Sequence, residues 1–450
     1  MAVYKNILPQ AIAPVFNPIW YGVSSSSSAL TNFEFYVQVY NSPFTATTLP
    51  NSAYKQPQSP ISANTFFSPS AFLRDFLSFQ PLPATTGFTQ QPGVALQYAM
   101  AFGEASGSTQ VIYSALTVTT GITFAGVLSH QDYNSWDCQD YIPSVRTGLS
   151  GTVPKFLSSV PQDFFASNFF TPSYGYNVRE GDMQTVSIFN YFYGTGYTTT
   201  ANIPFSMNLT VTQVSGGGIT YQILNTAWSG GTNTNARLVN TMGVGPYNLN
   251  NIPASLLGPS GDTQIIPPGG IINFDTDKSY YFGISNAGIG AGVTGITSFL
   301  KFNLDKRPTR YATNNCNSNI RFCFVNKFGC AEYINAPLVS RRYVDANADI
   351  YGINLSPFYN QGQRAAVVGG LNMQERFLAV TDILNAFELE YIEELYTSPS
   401  VFTLNNQTGV LTPVIITNRN QEYKKPINDG NFVYQIEYQN AFPVNAQFNL

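Results

Sequence analysis

Charge is what this chain has least of. Of its 450 residues, 21 are Lys or Arg and 25 are Asp or Glu, so charged side chains make up 10% and the formal net charge is −4. Soluble proteins carry roughly 25%, so Asn, Gln, Ser, Thr and Tyr must keep this surface wet. No basic run occurs, and counterion release from nucleic acid needs clustered Lys and Arg; no nucleic-acid partner is expected. Histidine is represented once, by His130. A nucleophilic triad needs a base poised near neutral pH, normally His, and no G-x-S-x-G turn accompanies this one. The chain is therefore expected not to be an enzyme and to carry no cofactor. Four cysteines in 450 residues suit a reducing compartment. No apolar stretch approaches roughly 18 residues, so no membrane span is expected. The N-terminal segment lacks the apolar centre of a signal peptide and is interrupted by Pro9 and Pro14, so the product is expected to stay in the cytoplasm where it is made until release. The sequons at Asn208, Asn354 and Asn406 are of a kind expected by chance in so Asn- and Thr-rich a chain.

Aromatic residues and turn formers are abundant: 34 Phe, 28 Tyr, 36 Gly and 28 Pro. Aromatics fit a pleated, half-buried surface, and frequent Gly and Pro punctuate short elements. The segment "TNFEFYVQVYNS" sets Phe33, Phe35, Val37 and Val39 on one face and Glu34, Tyr36, Gln38 and Tyr40 on the other, which predicts a strand with one buried face. Ser24–Ser28 reads as a loop before it. "SAFLRDFLSF" (Ser70–Phe79) predicts a short helix or turn, and "VALQYAMAFGEA" (Val94–Ala105) another strand. "HQDYNSWDCQDY" reads as a polar, aromatic loop. "PFSMNLTVTQVSGGGITYQIL" predicts a hairpin turning at Ser215–Gly218. Near the end, Asn385 and Glu388 form a capping pair. Phe387, Tyr391 and Leu395 recur at helical spacing with Ile392 and Tyr396 beside them, and Ser398-Pro399 is a stop. The expected architecture is mainly β. It comprises serial immunoglobulin- or fibronectin-like β-sandwich modules at 1–110 and 111–305, a linker at 306–319, and a C-terminal β module at 320–450 with one packed helix near 386–397.

Few residues suggest chemistry. Cys316, Cys323 and Cys330 are each separated by six residues, whereas zinc knuckles use two to four. Small buried side chains, a disulfide and a metal site are the alternatives for them, and packing is the plain one. Asp132, Asp137 and Asp140 lie among Tyr133, Trp136 and Tyr141. A carboxylate pair performs glycosidase chemistry without His, and aromatic rings stack on sugars, so Trp136, Tyr133 and Asp132 are the candidate glycan contacts. His130 is expected to pack in this loop or to hydrogen-bond Asp132. "DANAD" (Asp345–Asp349) begins like a calcium loop, yet it has Ile350 where the EF-hand needs Gly and Ser356 where it needs Glu. No metal site is expected. Gly243–Gly245 lacks the remainder of a nucleotide-binding fingerprint.

Several stretches, in order along the chain, resemble a family of virion structural proteins from tailed phages of Bacteroidetes bacteria. "FNPIWYGVSSSSSALTNFEFYVQVY" is similar to the family's opening and "QYAMAFGEA" to a module-closing strand; "GITFAGVLSHQDYNSWD" and "FLSSVPQ" are similar to later blocks. "FNLDKRPTRY" followed by "IRFCFVNKFGCAEY" is the most specific, with Phe324-Val325-Asn326, Gly329 and Glu332 at the positions of a strand, a turn and an acidic residue. "YIEELYTSPSVF" resembles the family's terminal helix, and "PVIITNRNQEYKK" the segment after that helix. Two departures are Cys330 where a second Gly is usual and Tyr391 where Trp is. The resemblance implies a virion component of the tail, neck or baseplate, assembling into a symmetric ring or multimer with copies of itself and other virion proteins. A host-surface glycan-recognition protein of the virion and a capsid subunit are the alternatives.

Overall fold

The computed structural model describes residues 3–41, 52–57, 64–91, 93–107, 111–112, 117–141, 155–160, 162, 175–189, 206–213, 218–224, 238–253, 270–273, 275, 279–286, 300–306, 319–338, 340–354, 357–358, 365–382, 386–418 and 433–442. These residues are mainly β, in several largely antiparallel sheets with few helices. The chain divides into two compact units. The first holds Met1–Lys306 together with Val325–Glu332, and the second holds Arg307–Phe324 with Tyr333–Leu450. Position 110/111 falls within one six-stranded sheet of the first unit, where Val111–Ile112 and Thr117–Phe124 both pair with Ala95–Ser106. Most of the expected linker at 306–319, the turn at Ser215–Gly217, Cys316 and the cap residue Asn385 lie outside the described residues.

In the first unit the strand order is Ile12–Pro14, Thr117–Phe124, Ala95–Ser106, Glu34–Tyr40, Ser52–Pro57, with the Ile12–Pro14 pairing parallel. A three-stranded sheet of Val3–Ile7, Tyr21–Ser25 and Thr65–Phe67 forms a second layer. The two layers share one core: Phe35, Val37, Val39, Tyr98, Met100 and Phe102 from the larger sheet meet Tyr21, Val23 and Phe67 from the smaller. The predicted faces of the Glu34–Tyr40 strand hold, with Phe33, Phe35, Val37 and Val39 all buried. Tyr40, expected on the wet face, is also buried and packs with Ala99 and Ala101, because Ala95–Ser106 is a central strand covered on both faces. The hydroxyls of Tyr21 and Tyr98 share a hydrogen bond of 2.8 Å in this core. Burial pushes Tyr21 up to about 12 and Tyr98 well above its ordinary value.

A second six-stranded sheet contains the predicted hairpin, Ser206–Gln213 against Gly218–Leu224. A further small sheet joins Phe88–Gln90 to Val239–Gly243 and Thr185–Phe189. A seven-stranded sheet, most of whose residues belong to the second unit, runs in the order Ala331–Ala336, Ile320–Val325, Val401–Leu404, Leu411–Ile416, Gln435–Asn440, Ala366–Val380, Ser340–Gly352. The helix expected near 386–397 is Ala386–Thr397. Of its predicted stripe, Tyr391, Ile392, Leu395 and Tyr396 are buried, and the Phe387 side chain lies outside the described residues.

Candidate functional site

The region around Trp136 carries the sequence-predicted site residues. Ser129 caps a six-residue helix, His130–Ser135, by accepting a hydrogen bond from the Asp132 backbone N–H at 3.1 Å. The expected loop is thus partly helical, and S-x-x-D was the local signal for it. The helix delivers Trp136 inward, where its ring is 8% exposed. The indole N–H donates to the Ile12 carbonyl at 3.1 Å. One face stacks on Tyr141 at 4.8 Å, and Phe124 and Phe328 stand 5.5 and 6.2 Å away. A buried ring so surrounded offers no platform to a sugar. The exposed indole among the described residues is Trp20, edge-on to Phe66.

Tyr133 donates to the Pro18 carbonyl at 2.8 Å, and burial raises its phenol. Asp132 lies 3.5 Å from the Lys327 ammonium and Asp140 3.2 Å from that of Lys155. These two carboxylates are matched to lysines rather than to each other. His130 is exposed and bonds Asn134 at 3.1 Å, not Asp132. Among the described residues no group of three or more His, Cys, Asp or Glu side chains is arranged to hold a metal ion. No described helix is long and apolar enough to cross a membrane. Asp345–Asp349 lies within a regular strand, Ser340–Gly352, so it does not adopt the bend of a calcium loop.

The turn in "IRFCFVNKFGC" seals this part of the first unit. Asn326 organises it: its side-chain oxygen accepts from the backbone N–H groups of Phe328 and Cys330 at 3.0 and 2.9 Å, and its amide donates to the Leu157 carbonyl at 2.9 Å. Gly329 takes φ +72°, and a Cβ there would stand 2.1 Å from the Ala125 carbonyl oxygen, so glycine is required. Phe328 and Cys330 join the core formed by Trp136, Phe124, Leu157 and Phe189. Glu332 is buried but satisfied, accepting from the Ser159 N–H at 3.1 Å, the Tyr176 hydroxyl at 2.7 Å and Asn326 at 3.2 Å. Cys330 is a free thiol whose titration burial pushes up to about 12. Cys323 is a buried strand residue. Both serve as packing groups.

The longest strand pair among the described residues lies in the second unit. Ser340–Gly352, of 13 residues, and Ala366–Val380, of 15, form an antiparallel ribbon. Among the described residues a third strand pairs with it only at Phe377–Val380, which face Gln435–Tyr438. The remainder is a two-stranded arm with apolar side chains exposed on both faces. Tyr343 and Tyr351 are exposed on one, Val344 and Ile350 on the other, and Phe358 beyond its end is 91% exposed. Two diagonal ion pairs brace the arm, Arg342 with Glu375 and Arg376 with Asp345, the latter at 2.5 and 2.8 Å. No local pattern in the sequence marks this arm. Neither a protein-family model nor a curated protein matches the chain.

Proposed function

We propose that this chain is a structural subunit of a phage virion, of the tail, neck or baseplate, and that it works by assembling into a symmetric ring or multimer with copies of itself and other virion proteins. The observation that carries the assembly reading is the Ser340–Val380 arm. An isolated two-stranded ribbon is at best marginally stable in water, and apolar side chains exposed on both faces of one are characteristic of a surface that a partner covers. The long edge strand is a hazard for a monomer and an asset in an assembly. The virion assignment is supported by the family resemblance of the sequence. Three stretches that carry it meet in the first unit: Asn17 exchanges hydrogen bonds with the Leu128 backbone at 2.8 and 2.9 Å, and the Trp136 segment packs on the turn at Asn326–Cys330. The glycan-recognition alternative has less to stand on, since its central residue, Trp136, is buried.

The test is the mass of the purified full chain by light scattering, alongside a variant with Val344–Glu375 replaced by a short Gly-Ser turn. The wild type is expected to assemble and the shortened chain to remain monomeric with its melting temperature little changed. Electron microscopy of particles is expected to place the chain in the tail assembly. A wild type that is monomeric at all concentrations and absent from particles overturns the reading.

A further inference from the structure

The seven-stranded sheet has two edges, and they are finished differently. At one edge, Ala331–Ala336 is almost wholly buried. There the Tyr391 hydroxyl from the helix bonds both the N–H and the carbonyl of Tyr333, the former at 3.0 Å. That edge is capped. At the other edge, Ser340–Gly352 has no further strand beside it among the described residues, and Arg341–Val344 and Asn347–Gly352 are exposed. Head-to-tail continuation of the sheet from copy to copy needs both edges, so it is closed off. An edge strand can still meet its own counterpart about a two-fold axis.

Two charged residues on this strand have no side-chain ion pair or side-chain hydrogen bond among the described residues: Arg341 and Asp349. Arg342 and Asp345 are already engaged by Glu375 and Arg376. Two copies of one strand paired antiparallel about a two-fold normal to the sheet keep the same face up. Residues opposite each other must then be an even number apart, with the axis on the residue midway. Arg341 and Asp349 are eight apart, and the residue midway is Asp345. The one irregularity in the ribbon leaves Ser340–Gly352 regular: Asp349 faces Gly370 and Ile350 faces Val368, so the extra residue is on the other strand.

We propose that Ser340–Gly352 is a docking edge for a second copy of this chain, paired antiparallel with its counterpart about a two-fold axis at Asp345. In this register Arg341 of each copy stands opposite Asp349 of the other, and Tyr343 opposite Asn347. The two Asp345 carboxylates at the axis are each neutralised by Arg376 of their own chain. The contact turns two ribbons into one four-stranded sheet, which removes the long open edge. Its contact is isologous, so any larger assembly built on it relates its copies in pairs. The inference rests on the assembly reading and adds to it the identity and register of the partner strand.

Charge reversal tests it in the full chain, by light scattering over a concentration series. Arg341→Asp and Asp349→Arg each turn two attractions into two repulsions. Opposite charges facing each other across strands stabilise the pair and like charges weaken it, so each single variant is expected to weaken association about tenfold or more. The double variant is expected to recover it. Asp345→Cys is expected to cross-link two copies on mild oxidation, because directly opposed Cα atoms lie at about 4.5–5.5 Å, within disulfide reach. If the wild type assembles while the single reversals associate unchanged, the double variant fails to recover, or Asp345→Cys stays uncross-linked, this edge contact is wrong and the assembly reading stands. Cross-linking of Asp345→Cys in particles to another virion protein, with none to itself, likewise overturns the contact and names a different occupant. If the wild type never associates and is absent from particles, both readings fall.

Discussion

Two strand pairs in this protein are both antiparallel and have opposite surroundings. Glu34–Tyr40 on Ala95–Ser106 places Val37 against Phe102 and Val39 against Met100, all fully buried. Ser340–Gly352 on Ala366–Val380 is longer, yet it places Tyr343 against Arg376 and Ile350 against Val368, in water on both faces. Backbone hydrogen bonds are available to both pairs, so they do not account for the difference in what each pair does. Apolar area removed from water does. The first pair gains its stability inside its own unit, and the second leaves that gain to be collected on contact with something else. Substitutions in the two pairs should therefore separate folding from association.

The largest expected effect is in the buried pair. Phe102 lies between Tyr21 and Phe67, at ring distances of 5.6 and 6.1 Å, and is fully buried. Phe102→Ala removes that ring and leaves a cavity, at a cost of about 3–5 kcal/mol. Chemical denaturation of the purified chain should show a first transition moved to markedly lower denaturant. No single truncation in the arm should approach this.

Gly329→Ala comes next. It combines a left-handed backbone with a Cβ 2.1 Å from the Ala125 carbonyl, and should destabilise by about 2 kcal/mol or more. Hydrogen exchange should show the loss concentrated at Asn326–Cys330 and the core beneath Trp136. Equal exchange in wild type and variant would mean that the turn accommodates the methyl group.

Alkaline pH sharpens the comparison without a mutation. Burial raises Tyr21, Tyr54 and Tyr98 above the ordinary value of 10, the first two to about 12, and Cys330 from 9 to about 12. The folded state then holds protons that the unfolded chain releases. The stability these groups contribute is fully present below about pH 9 and is lost as pH rises toward 12. Ultraviolet titration of tyrosine should show one fraction ionising only in step with unfolding of the first unit. Smooth, independent ionisation of every tyrosine would contradict the burial of this core.

Legibility in the sequence divides along the same line. The Glu34–Tyr40 strand declares itself because one face is dry, so its composition alternates. The Ala386–Thr397 helix declares itself through its stripe of Tyr391, Ile392, Leu395 and Tyr396 and its Ser-Pro stop. The arm is silent, since a ribbon wet on both faces imposes no alternation. "DANAD" draws attention there only as a broken calcium loop. The Trp136 segment misleads for a different reason. Polar neighbours make it look solvated, and its burial depends on Ile12 and Phe328, far away in sequence. Local pattern places Asn326 in a turn, but its bond to Leu157 spans 169 residues. Such partners leave no periodic trace.

The smallest expected effect on stability is the most informative for function. Ile350 is 68% exposed on a ribbon that no third strand among the described residues supports at that point. Ile350→Ser should change the unfolding free energy of the monomer by no more than about 0.5 kcal/mol, since surface substitutions away from caps and cores do little. In an assembly that covers the arm, the same substitution removes a buried apolar side chain, worth roughly 1.5–3 kcal/mol, and should weaken association at least tenfold. Denaturation and light scattering on one preparation measure the two numbers. A variant equally stable and equally associated would mean that this face of the arm stays wet in the assembled protein, and would move the interface to the strand edge alone.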